Sequence, residues 1–138
     1  LLDRAEELFV KLDGTPHAEA ALRFLLEIYE QEKDWHKAIV TAEKLETLSG
    51  RSYPKEIANF CCELAARELM QSRPAEARPH LIAALGHHRT CVRANILLGD
   101  LERDLGNRAA AIAAWQRIES QNPAYLSLVA ERLLNAYR

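Results

Sequence analysis

The chain has 138 residues, of which 49% are hydrophobic and 28% are charged, a composition typical of a soluble domain with a single core. Five glycines and five prolines are few for a fold with many turns, which favours long helices. The formal net charge of −2 excludes the strongly basic surface on which nucleic-acid binding depends. No run approaches the roughly 20 apolar residues of a membrane-spanning helix.

Apolar residues recur at steps of three and four along the whole chain, which is the period of amphipathic helices. Short segments rich in glycine, proline, asparagine and serine separate these stretches, for example at Ser49-Gly50 and Gly106-Asn107. We therefore predict eight helices, near residues 2–12, 18–31, 35–48, 55–71, 74–87, 90–104, 108–120 and 124–138. Pro79 lies inside the fifth predicted helix, where it removes a backbone donor and is expected to cause a kink near Arg78.

A repeat of about 34 residues, the period of tetratricopeptide units, relates these helices. Its clearest copy has Leu98 and Gly99 in the first helix, then Ala111 and Trp115 in the second. The equivalent second-helix alanines Ala5, Ala38, Ala77 and Ala111 are separated by 33, 39 and 34 residues. The longer step coincides with an enlarged connection at residues 50–54.

The size of the residue at each key position of the repeat has a physical reason. Gly99, like Ala65 in the preceding unit, lies where the two helices of a hairpin cross closely. Leu26 occupies that position in the earlier unit and predicts a wider crossing there. Trp115 and Phe9 are expected to fill the space between successive hairpins. The predicted fold is all-α: a right-handed superhelical tetratricopeptide solenoid of eight antiparallel helices, forming one domain. Its predicted units are a half-repeat 1–17, repeats 18–54, 55–89 and 90–123, and a half-repeat 124–138.

The segments DRAEELF (3–9), WHKAI (35–39) and EIANFCCELA (56–65) resemble the repeat region of the lipopolysaccharide assembly protein B family (LapB, also called YciM). The enlarged connection before Ile57 falls where that family has one. The resemblance implies an adaptor that helps the membrane protease FtsH degrade the deacetylase LpxC and so limits lipopolysaccharide synthesis. It also implies repeats on the cytoplasmic side of the bacterial inner membrane, behind an N-terminal membrane anchor.

The family ends in a rubredoxin-like domain whose two Cys-x2-Cys pairs hold a metal, and this chain has no Cys-x2-Cys pair. We therefore expect no cofactor in the chain itself, with the family's metal site lying outside it. The chain opens with Leu1 and ends at Arg138, without signal peptide or polar tail, which indicates an excerpt of a longer protein. Apolar edges at both ends predict weak self-association.

The cysteines Cys61, Cys62 and Cys91 are odd in number, which argues against a disulfide framework and for a reducing compartment. Inert packing is the default for the first two, whereas Cys91 lies near a helix start, where a thiol pKa can fall. With His87 and His88 it forms the one cluster that resembles a metal site. A solvated helix end is the favoured interpretation, because zinc normally needs four ligands.

Numerous carboxylates are expected to be solvated helix faces, as for Asp100 and Asp104 beside Arg103. No glycine-rich phosphate loop or nucleophile motif is present, so the sequence predicts no enzyme. Instead, first-helix side chains that point away from the second helix should line a concave protein-binding groove. These residues are Arg23, Glu27, Glu30, Asn59, Cys62, Ala66, Leu69, Arg93, Ile96, Asp100 and Arg103. The sequence leaves two functions open, namely the family's adaptor and a general peptide-binding or complex-assembly module.

Overall fold

A computed structural model describes residues 2–121 and 123–138, and within them the chain forms eight α-helices and no strand. The helices α1 to α8 span Leu2–Leu12, Ala18–Glu32, Trp35–Ser49, Pro54–Met70, Pro74–His87, Val92–Asp104, Arg108–Gln121 and Leu126–Tyr137. A 3₁₀ turn at Pro123–Tyr125 precedes the last helix. The all-α helical-repeat fold predicted from the sequence is confirmed.

The helices begin and end at the expected signals. Asp34 caps α3 by accepting a hydrogen bond from the Lys37 backbone N–H at 3.3 Å. Gly50 ends the same helix with a φ of 71°, in the left-handed region that favours glycine. α6 begins at Val92 rather than near residue 90, because Cys91 occupies its N-cap position. α5 continues through Pro79 to His87, and the kink near Arg78 remains a prediction.

Neighbouring helices in the chain contact one another, most extensively in the pairs α2–α3, α4–α5 and α6–α7. α4 also contacts α6, so the first helices of these two successive pairs lie side by side. This is how stacked hairpins bury a continuous core that no single hairpin could bury alone. The exact repeat boundaries given above remain a prediction.

Small residues and one large aromatic residue determine the packing. Ala5, Ala38, Ala77 and Ala111 are all buried, as expected for positions where helices approach closely. A Cβ atom built on Gly99 would overlap the indole of Trp115, lying 2.8 Å from its Cε2 atom. The indole belongs to a buried cluster of α7 and α8 that also contains Ala111, Ile118, Val129 and Leu133. Close packing therefore requires glycine at position 99.

Candidate functional site

The candidate site is the polar face of the first helices, α2, α4, α6 and α8, on which predicted groove residues such as Arg23, Asn59 and Arg93 lie. We call it the groove face. Arginine side chains of one helix donate to residues that lie roughly one repeat earlier in the chain. Arg67 donates to the Lys33 carbonyl oxygen 34 residues before it, and Arg93 donates to Asn59 across the same separation. These bonds reproduce in space the repeat period seen in the sequence.

Arg93 joins α6 to α4. Its Nη1 atom donates to the Asn59 side-chain oxygen at 2.8 Å and to a Glu63 carboxylate oxygen at 2.8 Å. Arg93 and Asn59 were both predicted on the groove face and are brought together there, whereas Glu63 was not predicted. Because the guanidinium is half exposed, the ion pair contributes modestly to stability, and its main effect is to fix the relative position of two first helices.

The ion pair between Asp100 and Arg132 joins α6 to α8. Arg132 donates from Nε and Nη2 to the two carboxylate oxygens, at 2.7 and 3.2 Å. This two-point geometry suits a guanidinium and a carboxylate. The sequence analysis identified Asp100 but missed Arg132. Arg132 could have been found from its charge, which is opposite to that of Asp100, and from its separation of 32 residues, which is close to the repeat period.

Arg103 lies at the C-terminal end of α6, over the buried Trp115 ring, with 6.0 Å between its Cζ atom and the ring centroid. It also donates to Asp104 at 3.2 Å and lies 3.9 Å from Asp100, the pairing expected from the sequence. More than half of the Arg103 side chain is exposed. A guanidinium held over an aromatic ring is oriented while its donors stay open to solvent.

A cavity of about 580 Å³ opens beside Arg103, between the ends of α6, α7 and α8. Its wall includes Arg108, which makes no ion pair within the residues that the structure describes. The remaining polar lining residues are Asp100, Glu131, Arg132 and Asn135. Three guanidinium groups, two carboxylates and one amide therefore surround an apolar floor formed by Trp115 and two alanines. The excess of guanidinium groups can bind a carboxylate-bearing chain.

The opposite end of the groove face is acidic. Partial burial raises the pKa of Glu30, and the nearby negative charges of Glu27 and Glu56 raise it further. These three carboxylates form no ion pair among residues 2–121 and 123–138. Arg23 is already engaged, since it donates to Glu19 at 2.7 Å and to the Tyr53 hydroxyl at 3.2 Å. Unpaired carboxylates are therefore available to cationic groups of a ligand.

One predicted groove residue is wrong. Cys62 is fully buried, so its side chain does not line an accessible surface. α4 lies between other helices and buries residues on most of its circumference, including the neighbouring Cys61. Leu69 and Ile96 are half-buried against the core, which leaves only a narrow apolar strip between the acidic and basic ends.

No group of three or more His, Cys, Asp or Glu side chains in the described ranges is arranged to hold a metal ion. His88 lies instead 3.0 Å from the Thr90 hydroxyl, through its Nε2 atom. In the same ranges no helix is long and apolar enough to cross a membrane.

The chain is similar over its whole length to proteins named lipopolysaccharide assembly protein B. It is 36% identical to the Haemophilus influenzae protein over 136 residues, which cover 98% of this chain and 34% of that protein. It is 34% identical to the Escherichia coli K12 protein over 139 residues, covering 100% of this chain and 36% of the relative. The chain thus spans about a third of the length of these relatives. No protein-family model matches it.

Proposed function

We propose that this chain, a homologue of lipopolysaccharide assembly protein B over about a third of that protein's length, is a protein-binding scaffold without catalytic turnover. The observation that carries the proposal is the groove face itself. Bonds one repeat apart fix the first helices, while Glu27 and Glu30 at one end form no ion pair in the part of the chain that the structure describes. A cavity with three guanidinium groups against two carboxylates lies at the other end, beside the start of α7. Such a preorganised surface, with an excess of opposite charge at its two ends, suits an extended protein segment.

The similarity to lipopolysaccharide assembly protein B supports a role in lipopolysaccharide assembly. The finer proposal follows the family resemblance: the chain acts as part of an adaptor that presents the deacetylase LpxC to the protease FtsH. Its place would be the cytoplasmic face of the bacterial inner membrane. The groove face would hold a segment of one of these partners or of another envelope-assembly protein.

The second candidate is a general peptide-binding or complex-assembly module, which the repeat geometry supports without the family resemblance. Both candidates use the same surface, so they are separated by the partner rather than by the site. Selective capture of the deacetylase or the protease favours the adaptor. Equal capture of unrelated peptides of mixed charge favours the general module.

The experiment compares binding of purified deacetylase and protease to the immobilised chain and to two charge-swapped variants. The groove variant combines Glu30→Lys with Arg103→Glu, and the control combines Arg89→Glu with Glu119→Lys. Each variant leaves the net charge unchanged, and all four side chains are exposed, so non-specific electrostatics are matched. Because Arg103 also contacts Trp115 and Asp104, circular dichroism must first show that both variants are folded. We expect at least tenfold weaker binding for the groove variant and unchanged binding for the control. Equal binding by both variants would refute the groove face as the binding surface.

A further inference from the structure

A pair of thiols lies away from the charged ends of the groove face, where α4 meets the start of α6. Cys62 on α4 is fully buried, and Cys91 at the N-cap of α6 is half-buried against the same core. Both side chains belong to the same core cluster, at the place where α4 contacts α6. The proposed protein-binding function uses neither side chain, and core packing alone does not require two cysteines here.

The surroundings of Cys91 stabilise its thiolate form. The hydrogen bond with Cys62 lowers the pKa of the Cys91 thiol most, and the Ala94 backbone N–H and His88 lower it further, against the opposing effect of burial. The same hydrogen bond, together with burial, raises the pKa of the Cys62 thiol. These effects favour the thiolate form at Cys91, the more accessible of the two sulfurs, and the protonated form at the buried Cys62.

Cys91 is also accessible. It lines a cavity of about 440 Å³ together with Lys55, His88, Thr90 and Tyr125. The ammonium group of Lys55 suits a reagent that carries carboxylates. Cys62, in contrast, is fully buried and does not line this cavity.

We propose that Cys91 is a thiol-modification site for anionic small-molecule disulfides such as oxidised glutathione, and that Cys62 is its resolving thiol. The Cys91 thiolate attacks one disulfide sulfur, forms a mixed disulfide and releases one glutathione thiolate, which takes the proton of Cys62. The Cys62 thiolate then attacks the Cys91 sulfur, forms the intramolecular disulfide and releases the second glutathione, which solvent protonates. Two protein thiols are oxidised while one glutathione disulfide is reduced to two thiols. The new bond ties α4 covalently to the start of α6.

The test treats the folded chain with oxidised glutathione, blocks remaining thiols by alkylation, and determines the mass of the protein and of its peptides. Before alkylation we expect a product lighter than the native chain by two hydrogen atoms. In its peptides Cys62 and Cys91 are joined, and Cys61 carries the alkyl group added after unfolding. Cys62→Ala should stop the reaction at a stable glutathione adduct on Cys91. Cys61→Ala is the matched control, because it removes a buried neighbouring thiol and should leave the reaction unchanged.

A second measurement needs no variant: the rate at which iodoacetamide alkylates Cys91 in the native chain as a function of pH. We expect at least tenfold faster alkylation of folded than of urea-unfolded protein near pH 6, since only the folded chain stabilises the thiolate. Equal rates in the two states would overturn the proposal. So would glutathione attached to Cys61, or an intramolecular disulfide that excludes Cys91.

Discussion

Gly99 gives the sharpest test of the packing between α6 and α7. A Cβ atom at this position would lie 2.5 Å from Cδ1 and 2.8 Å from Cε2 of the Trp115 ring, and nearer still to Nε1. Trp115 is only 1% exposed and is surrounded by core residues of α7 and α8. The ring therefore cannot move aside without displacing its neighbours.

The size of the effect follows from two opposing contributions. Overpacking a filled core costs about 1–3 kcal/mol, and overlap with three ring atoms places Gly99→Ala near the upper end. Alanine regains about 1 kcal/mol of helix propensity over glycine. We expect a net loss of about 1–2 kcal/mol for Gly99→Ala and a larger loss for Gly99→Leu. For a chain of this length each kcal/mol lowers Tm by about 4 °C.

The assay is thermal and urea unfolding followed by circular dichroism, with Gly86→Ala as the matched control. Gly86 also lies in a helix, but a Cβ atom there would meet nothing within 4 Å, so its replacement should stabilise the chain by up to about 1 kcal/mol. In a Trp115→Phe background, the cost of Gly99→Ala should fall by about 0.5 kcal/mol or more. A Gly99→Ala chain as stable as the native one would refute the packing argument.

Two further predictions concern charge and association. Glu102 is 7% exposed, and although burial opposes its ionisation, hydrogen bonds from Arg78 and Asn107 lower its pKa below 4.5. Its ionised form therefore stabilises the fold above about pH 4.5, and this stabilisation is lost as pH falls through the lowered pKa. Glu102→Gln should cost about 1–2 kcal/mol at pH 7, measured by urea unfolding, and its difference from the native chain should shrink as pH is lowered from 4.5. A difference that does not change with pH would contradict this. Val10 and Leu134 on the outer helices are 72% and 61% exposed, so light scattering should show concentration-dependent self-association. The double variant Val10→Lys with Leu134→Lys should reduce this association. A strict monomer at high concentration would count against the prediction.

The helices could be predicted well from the sequence because breakers and capping residues act locally. Gly50 ends α3 and Asp34 caps it, and neither effect depends on the rest of the fold. The close crossing at Gly99 was also predictable, because the repeat pattern places a small residue opposite a large one. These features need only the period and the sizes of side chains.

The candidate site was less predictable because it depends on neighbouring units. Cys62 was assigned to the surface from a single-face register, yet α4 is packed by other helices on several sides. Arg132 and Glu63 were missed because their partners lie a whole repeat away in sequence. Glu102 lies three residues after Gly99, where the tetratricopeptide pattern has tyrosine. Only the structure shows that Arg78 and Asn107 form hydrogen bonds with its carboxylate.

The central claim is that the groove face captures a partner protein. The most direct measurement places Glu30→Lys with Arg103→Glu in the full-length protein, in the bacterium from which it comes, and follows the amount of LpxC deacetylase by immunoblot. The control is Arg89→Glu with Glu119→Lys at the same expression level. We predict that the deacetylase accumulates with the groove variant and stays low with the control. Deacetylase that stays low with both variants, at normal expression, would contradict the claim.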